Sequence, residues 1–319
     1  MRWSRGLGAL FAVATALAVT GGAAALTPDR TLVASLPVRD LALTGRTVAY
    51  VADAPVRLQC ARIGLWNTAT NRRFPFDAKE QCLEQGSTGQ GVWDVSVATT
   101  RLLWLTYAGG NFREWSLWTA TTTRRRPRLL RFVARDVDAP PPIVLGPGTA
   151  EGIPYAVYRE IVYLGDDGRA IFRTTVASPV RALASRLRGR FVIVVAALLA
   201  DGTVVGLGSG GEQHIAWDPP GTVTALGLDD LVGIAVQVGR EISFPGGEVM
   251  LPSGAVMVDL AQGRILWTRA GDLGATSVTG KTTRLVDGTP TNPAFGQLDA
   301  RGAAWARGRA VRWRAGRLP

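Results

Sequence analysis

The chain offers few residues equipped for chemistry. His214 is its single histidine, so a mechanism built on an imidazole base must use it, and no G-x-S-x-G elbow supplies the nucleophile. Two residues after Glu212 in a glycine-rich stretch, His214 reads as a surface residue or as a binding group at a rim. One histidine and two cysteines are too few for a metal centre of the Cys/His type, and no metal site is expected. Carboxylates could hydrolyse a glycoside if a pair stood ~5–10 Å apart. The adjacent pairs Asp166/Asp167 and Asp229/Asp230 lie in turn contexts, where aspartate is favoured for its backbone hydrogen bonding. Asp136 and Asp138 precede Pro140-Pro141-Pro142 and read as loop residues. No catalytic residue is assigned and no cofactor is expected.

Binding is better served. Arg124-Arg125-Arg126-Pro127-Arg128 is the densest cationic run. It reads either as an anion-binding patch or as a solvated outer strand or loop whose charges and proline protect a sheet edge. With His214, it makes the candidate binding set. Trp93, Trp104, Trp115 and Trp118 cluster in sequence and could stack on sugars, but Trp93 and Trp104 sit on neighbouring strands and are expected to fill a core. Trp115 and Trp118, three apart on a strand, must point to opposite faces. The segment from Gly206 to Gly211 satisfies G-x-G-x-x-G, yet no helix pattern follows to hold a pyrophosphate, so it reads as a loop between strands.

The compartment comes from the N-terminus. Arg2 and Arg5 precede the apolar Leu7–Val19, and Ala23-Ala24-Ala25 supplies a cleavage site, so residues 1–25 read as a secretory signal peptide and 26–319 as a single domain. Cys60 and Cys82 are then an even pair in an oxidising compartment, expected as a disulfide. The formal net charge of +11 rests on arginine. Export argues against nucleic acid, and leaves an anionic envelope polymer, a glycan or another envelope protein as partners for a monomeric chain. Phe191–Ala200 is apolar but too short to span a bilayer, and reads as a buried strand.

The elements that must position these residues are strands. Short β-branched and aromatic runs alternate with Gly, Pro, Asp and Thr clusters, and helical periodicity is nearly absent. Asp166-Asp167-Gly168-Arg169 and Asp201-Gly202 have the chemistry of tight hairpin turns. One pattern recurs: VRDLALTGRTVAYV from Val38, VWDVSVATTRLLWL from Val92, VRALASRLRGRFVIVV from Val180, VTALGLDDLVGIAV from Val223, and FGQLDARGAAWARG from Phe295. A unit of about 44 residues with several short strands fits a four-stranded propeller blade. The spacing favours six blades, with seven as the alternative, and leaves open whether 271–293 is a blade or an insertion. In the first unit the strands read as Val38–Leu43, Thr47–Ala52, Arg62–Trp66 and Arg72–Phe76. Thr31–Leu36 is expected to complete the last unit and close the ring.

Leu65-Trp66-Asn67-Thr68-Ala69-Thr70-Asn71-Arg72 resembles the third-strand-and-turn signature of bacterial WD-repeat-like, TolB-like and quinoprotein-like propellers. Val258-Asp259-Leu260-Ala261-Gln262-Gly263-Arg264-Ile265-Leu266-Trp267 resembles it too, in its quinoprotein-like form. The resemblance implies an all-β propeller, and such a fold hosts receptors, scaffolds and enzymes alike. The resulting expectation is a secreted or envelope-associated non-enzymatic binding protein. Its alternative is an exported hydrolase or quinone-dependent oxidoreductase.

Overall fold

The computed structural model describes residues 29–53, 62–76, 90–123, 126–186, 192–316 and 318. Residues 1–25, expected to be a signal peptide, both cysteines of the expected disulfide, Arg124 and Arg125 lie outside them. The described residues contain strands and no helix. β1 (Arg30–Val33) is followed by sheet 1, which comprises β2 (Val38–Thr44), β3 (Thr47–Ala52), β4 (Arg62–Asn67) and β5 (Arg72–Phe76). Sheet 2 is β6 (Gln90–Val97), β7 (Arg101–Ala108), β8 (Phe112–Thr121) and β9 (Arg128–Asp136). Sheet 3 is β10 (Ile143–Leu145), β11 (Gly152–Val157), β12 (Glu160–Gly165) and β13 (Ala170–Thr175). Sheet 4 is β14 (Val180–Ser185), β15 (Val195–Leu199), β16 (Val204–Leu207) and β17 (Gln213–Trp217). Sheet 5 is β18 (Val223–Asp229), β19 (Gly233–Val238), β20 (Glu241–Phe244) and β21 (Gly247–Met250). Sheet 6 is β22 (Val256–Ala261), β23 (Arg264–Arg269), β24 (Asp272–Ser277) and β25 (Thr282–Val286). In sheet 7, β26 (Ala294–Leu298), β27 (Gly302–Arg307) and β28 (Ala310–Ala315) are joined by β1, with Arg30 opposite Trp313 and Val33 opposite Ala310.

There are thus seven four-stranded antiparallel sheets, against the six units favoured by the repeat spacing. The difference lies between Val223 and Phe295, where two short units stand. Residues 271–293 supply the third and fourth strands of sheet 6. The first unit follows the expected parse to within a residue at each strand end. Both hairpins form where their turn residues stand, with Gly168 and Gly202 at φ of +87° and +96°. At such angles a side chain would be strained.

The first strands pack side by side in the cyclic order β2, β6, β10, β14, β18, β22, β26 and back to β2. One apolar cluster fills each space between neighbouring sheets. Phe76 meets Trp104 edge-on at 5.1 Å between sheets 1 and 2, and Val38, Trp66 and Trp313 join sheet 7 to sheet 1. Two glycines make room for large rings from the adjoining strand: a Cβ on Gly64 would stand 2.1 Å from the Tyr50 ring, and one on Gly274 2.1 Å from Trp267.

The tryptophans divide. Trp104 is fully buried as expected, and Trp115 and Trp118 do face opposite spaces, toward sheet 3 and sheet 1 respectively. Trp93 is half-exposed rather than core. The pairing of β6 with β7 skips a residue between Val92 and Asp94, which throws Trp93 out of the strand's alternation. The same slip recurs at Arg39, Arg181, Thr224 and Val258, all exposed. Of the two signature segments, Leu65–Arg72 is a third strand and turn. Val258–Trp267 instead spans the first and second strands of sheet 6. The two share turn chemistry, with Asn71 and Gln262 both at φ of 55°, and the turn misled the assignment.

Candidate functional site at the channel mouth

Because the first strands surround the axis, a residue's position along its first strand decides its depth in the channel. Where these strands turn into the second strands, all seven sheets contribute to a cavity of about 630 Å³. A second space of about 320 Å³ continues it along the axis, sharing Pro147, Ser185, Leu228 and Asp259 in its walls. The larger volume lies in the range of small-molecule sites.

The deeper space is acidic. In sheets 1, 2 and 6 the residue just past the slip lines it: Asp40, Asp94 and Asp259. Asp40 accepts the N–H of Leu41 at 2.8 Å and, across the junction, that of Val95 at 3.2 Å. Asp259 repeats the device, accepting from Leu260 at 2.8 Å and from Leu298 of sheet 7 at 2.6 Å. In sheet 7 Gln297 uses its amide oxygen to accept the N–H of Leu43 in sheet 1. These side chains fasten one first strand to the next.

Burial pushes these carboxyls upward. Asp259 reaches about 7, against the N–H groups that lower it. Asp40 and Asp94 are hydrogen-bonded to each other, and both rise. Asp40 is driven well above the carboxylate range by burial and then by the neighbouring Asp94 charge. The pair therefore holds a proton where isolated aspartates would not.

At the mouth, Asp229 is buried and accepts the N–H groups of Gln262 at 3.1 Å and Gly263 at 2.5 Å. Asp299, raised by burial, accepts from Arg301 at 2.7 Å, Gly302 at 2.8 Å and Gly45 of sheet 1. Buried Arg186 donates to the Ile193 carbonyl at 2.7 Å and pairs with Asp230. Exposed Arg46 and Arg301 and the half-exposed Asn67 complete the rim on the side of sheets 1 and 7.

Of the residues singled out from the sequence, Asp229 and Asp230 line this mouth. Asp166 and Asp167 are turn residues, as their context indicated. Asp166 also ties sheet 3 to sheet 2, accepting from the Thr100 N–H at 2.6 Å and hydroxyl at 2.7 Å. Arg126 and Arg128 lie at the β8–β9 connection of sheet 2, outside the cavity lining. His214 sits on the outer strand β17, exposed and 2.9 Å from Glu212. Of the glycine-rich segment, expected as a loop, Gly206 and Leu207 end strand β16, and Gly208–Gly211 lie in the β16–β17 loop. Sequence reasoning passed over Asp40, Asp94, Asp259 and Asp299. A usable signal was present, since Asp40, Asp94 and Asp259 hold the same place in the repeat.

Among solved structures, 90% of this chain overlays 99% of virginiamycin B lyase from Staphylococcus aureus at 9% identity and a TM-score of 0.56. The Pan2 WD40 domain of Neurospora crassa matches 89% of the chain over 90% of its own length, at 11% identity and a TM-score of 0.50. The fold is of the β-propeller type. Raptor from Chaetomium thermophilum also aligns with 90% of the chain at 12% identity and a TM-score of 0.56, but the match spans only 29% of that protein. No family profile matches this propeller, and no curated protein sequence does.

Proposed function

We propose that this chain is an exported binding protein: a seven-bladed propeller, closed by its N-terminal strand, that engages its partner through the channel mouth. The observation that carries the reading is the 630 Å³ cavity to which all seven sheets contribute side chains at one end of the ring. Its wall is built from short turns on rigid strands, and such a surface changes specificity without disturbing the scaffold. Closure is supported by the pairing of β1 with β28 and by the apolar cluster between sheets 7 and 1. Export rests on the N-terminal segment, and the Cys60–Cys82 disulfide would follow from it.

An enzymatic reading has one observation in its favour, the raised Asp40–Asp94 pair beside the channel. A lyase also stands among the structural neighbours, at an identity that speaks to fold alone. Against it, the Asp40 oxygens already accept strand N–H groups and face the other carboxyl, which is the work of a fastener.

Both parts are testable in the producing cell. The exported chain should have the mass of a polypeptide beginning at Leu26. A photo-crosslinking residue in place of Leu231, 59% exposed in the mouth wall, should yield a discrete adduct. The same residue in place of Ile171, 45% exposed on the outer strand β13, should not. Equal labelling from both positions, or none from Leu231, would remove the mouth as the binding face.

A further inference from the structure

The hydrogen-bonding capacity of the mouth is unevenly spent, and what remains names the guest. Its acceptors are largely used. Asp229 and Asp259 each take two backbone N–H groups, Asp299 takes three, and Asp230 is held by Arg186. Three of its hydroxyl donors are used as well. Thr44 donates to the Gly148 carbonyl at 3.0 Å, Thr99 to that of Ala150 at 3.2 Å, and Ser185 to that of Pro147.

On the side of sheets 1 and 7 the balance reverses. Asn67 fixes its own amide: Oδ1 accepts the N–H groups of Ala69 and Thr70, each at 3.0 Å, which leaves Nδ2 as the free end. Arg46 stands in the β2–β3 turn beside Gly45. Arg301 lies over that same turn, its Cδ and Nη1 each 3.8 Å from where a side chain on Gly45 would begin. Among the described residues, neither guanidinium makes an ion pair or a side-chain hydrogen bond. One sector of the rim thus presents two guanidinium groups and an amide N–H₂, with no free carboxylate among them.

We propose that this sector is an oxyanion site, and that the guest of the mouth carries a carboxylate or phosphate group bound by Arg46, Arg301 and Asn67. Guanidinium forks match both groups in charge and in the spacing of their oxygens. The inference rests on the mouth being the binding face, and it assigns the chemistry that face selects.

The test is calorimetric titration of the mature protein with glucose 6-phosphate, glucuronate and uncharged glucose. At least one anionic sugar should bind ten times or more tightly than glucose, and its affinity should fall as salt is raised. The phosphate and uronate arms separate the two sources of the oxyanion. The R46A/R301A double variant, with unchanged thermal melting, should lose that affinity at least tenfold, and R46K/R301K should recover part of it. Failure of both anionic sugars to bind, equal binding of glucose, or undiminished binding by the alanine variant would overturn the oxyanion assignment. An adduct from position 231 that survives R46A/R301A would leave the mouth as the binding face and remove only the oxyanion. Absence of the adduct would remove the face itself.

Discussion

Sheets 1, 2 and 6 place an aspartate just past the slip in the first strand, where it lines the channel, whereas sheets 4 and 5 have Ala182 and Ala225 at the same register position, packed against the apolar clusters between sheets. The backbone feature is common to all five, so the carboxylates are an addition to the blade and not a requirement of it. At the junction of sheets 4 and 5, aliphatic packing of Ile193, Leu198, Val204, Ile234 and Val236 holds the strands. At the junctions of sheets 1 with 2 and 6 with 7, a carboxyl also accepts an N–H from the next first strand. Apolar burial supplies the cohesion, and the carboxyls add strand-to-strand register and a dependence on protons.

The comparison can be broken at the packing first. Trp104→Ala should destabilise the fold by about 3–5 kcal/mol in denaturant titration, since it empties a fully buried site between sheets 1 and 2. Ile234→Val, at the alanine-type junction, should cost only about 0.5–1.5 kcal/mol. Next comes the fastener itself. Asp259→Ala orphans the N–H groups of Leu260 and Leu298 and should cost roughly 1–3 kcal/mol. Ala225→Gly, at the corresponding place in sheet 5, should cost only about 0.5–1 kcal/mol. If Asp259→Ala were neutral, the tie between sheets 6 and 7 would be incidental.

The smallest effect sharpens the comparison through pH. The folded value of Asp259, about 7, lies above the ordinary carboxylate value. Between the two the folded state binds the extra proton, so the stability linked to this group is complete at low pH and is lost as pH rises toward 7. Asp259→Asn should therefore gain on the wild type as melting is followed from pH 4 to 7. A constant difference across that range would mean that Asp259 titrates normally.

Much of the fold was legible because turn chemistry and strand patterning are local. Gly168 and Gly202 sit at the positive φ their turns require, and the first unit could be parsed strand by strand. The blade number was less so, because sheet 5 ends in strands as short as β20 and β21, so that two units fall within one apparent long spacing. The site was harder still. Arg126, Arg128 and His214 drew attention by density or rarity, yet lie outside the cavity. Asp40, Asp94 and Asp259 are single residues far apart in sequence, and only closing the ring makes them neighbours of one channel. Reading across the repeats at a fixed position, and not along the chain for clusters, would have found them.

The most direct test of the mouth as the binding face is backbone hydrogen exchange of the protein, alone and with the partner captured at position 231. Protection should increase in the β2–β3, β18–β19 and β26–β27 turns, whose residues line the cavity, and remain unchanged in the outer strands β13 and β17. Protection confined to those outer strands, with the mouth turns unaltered, would contradict it.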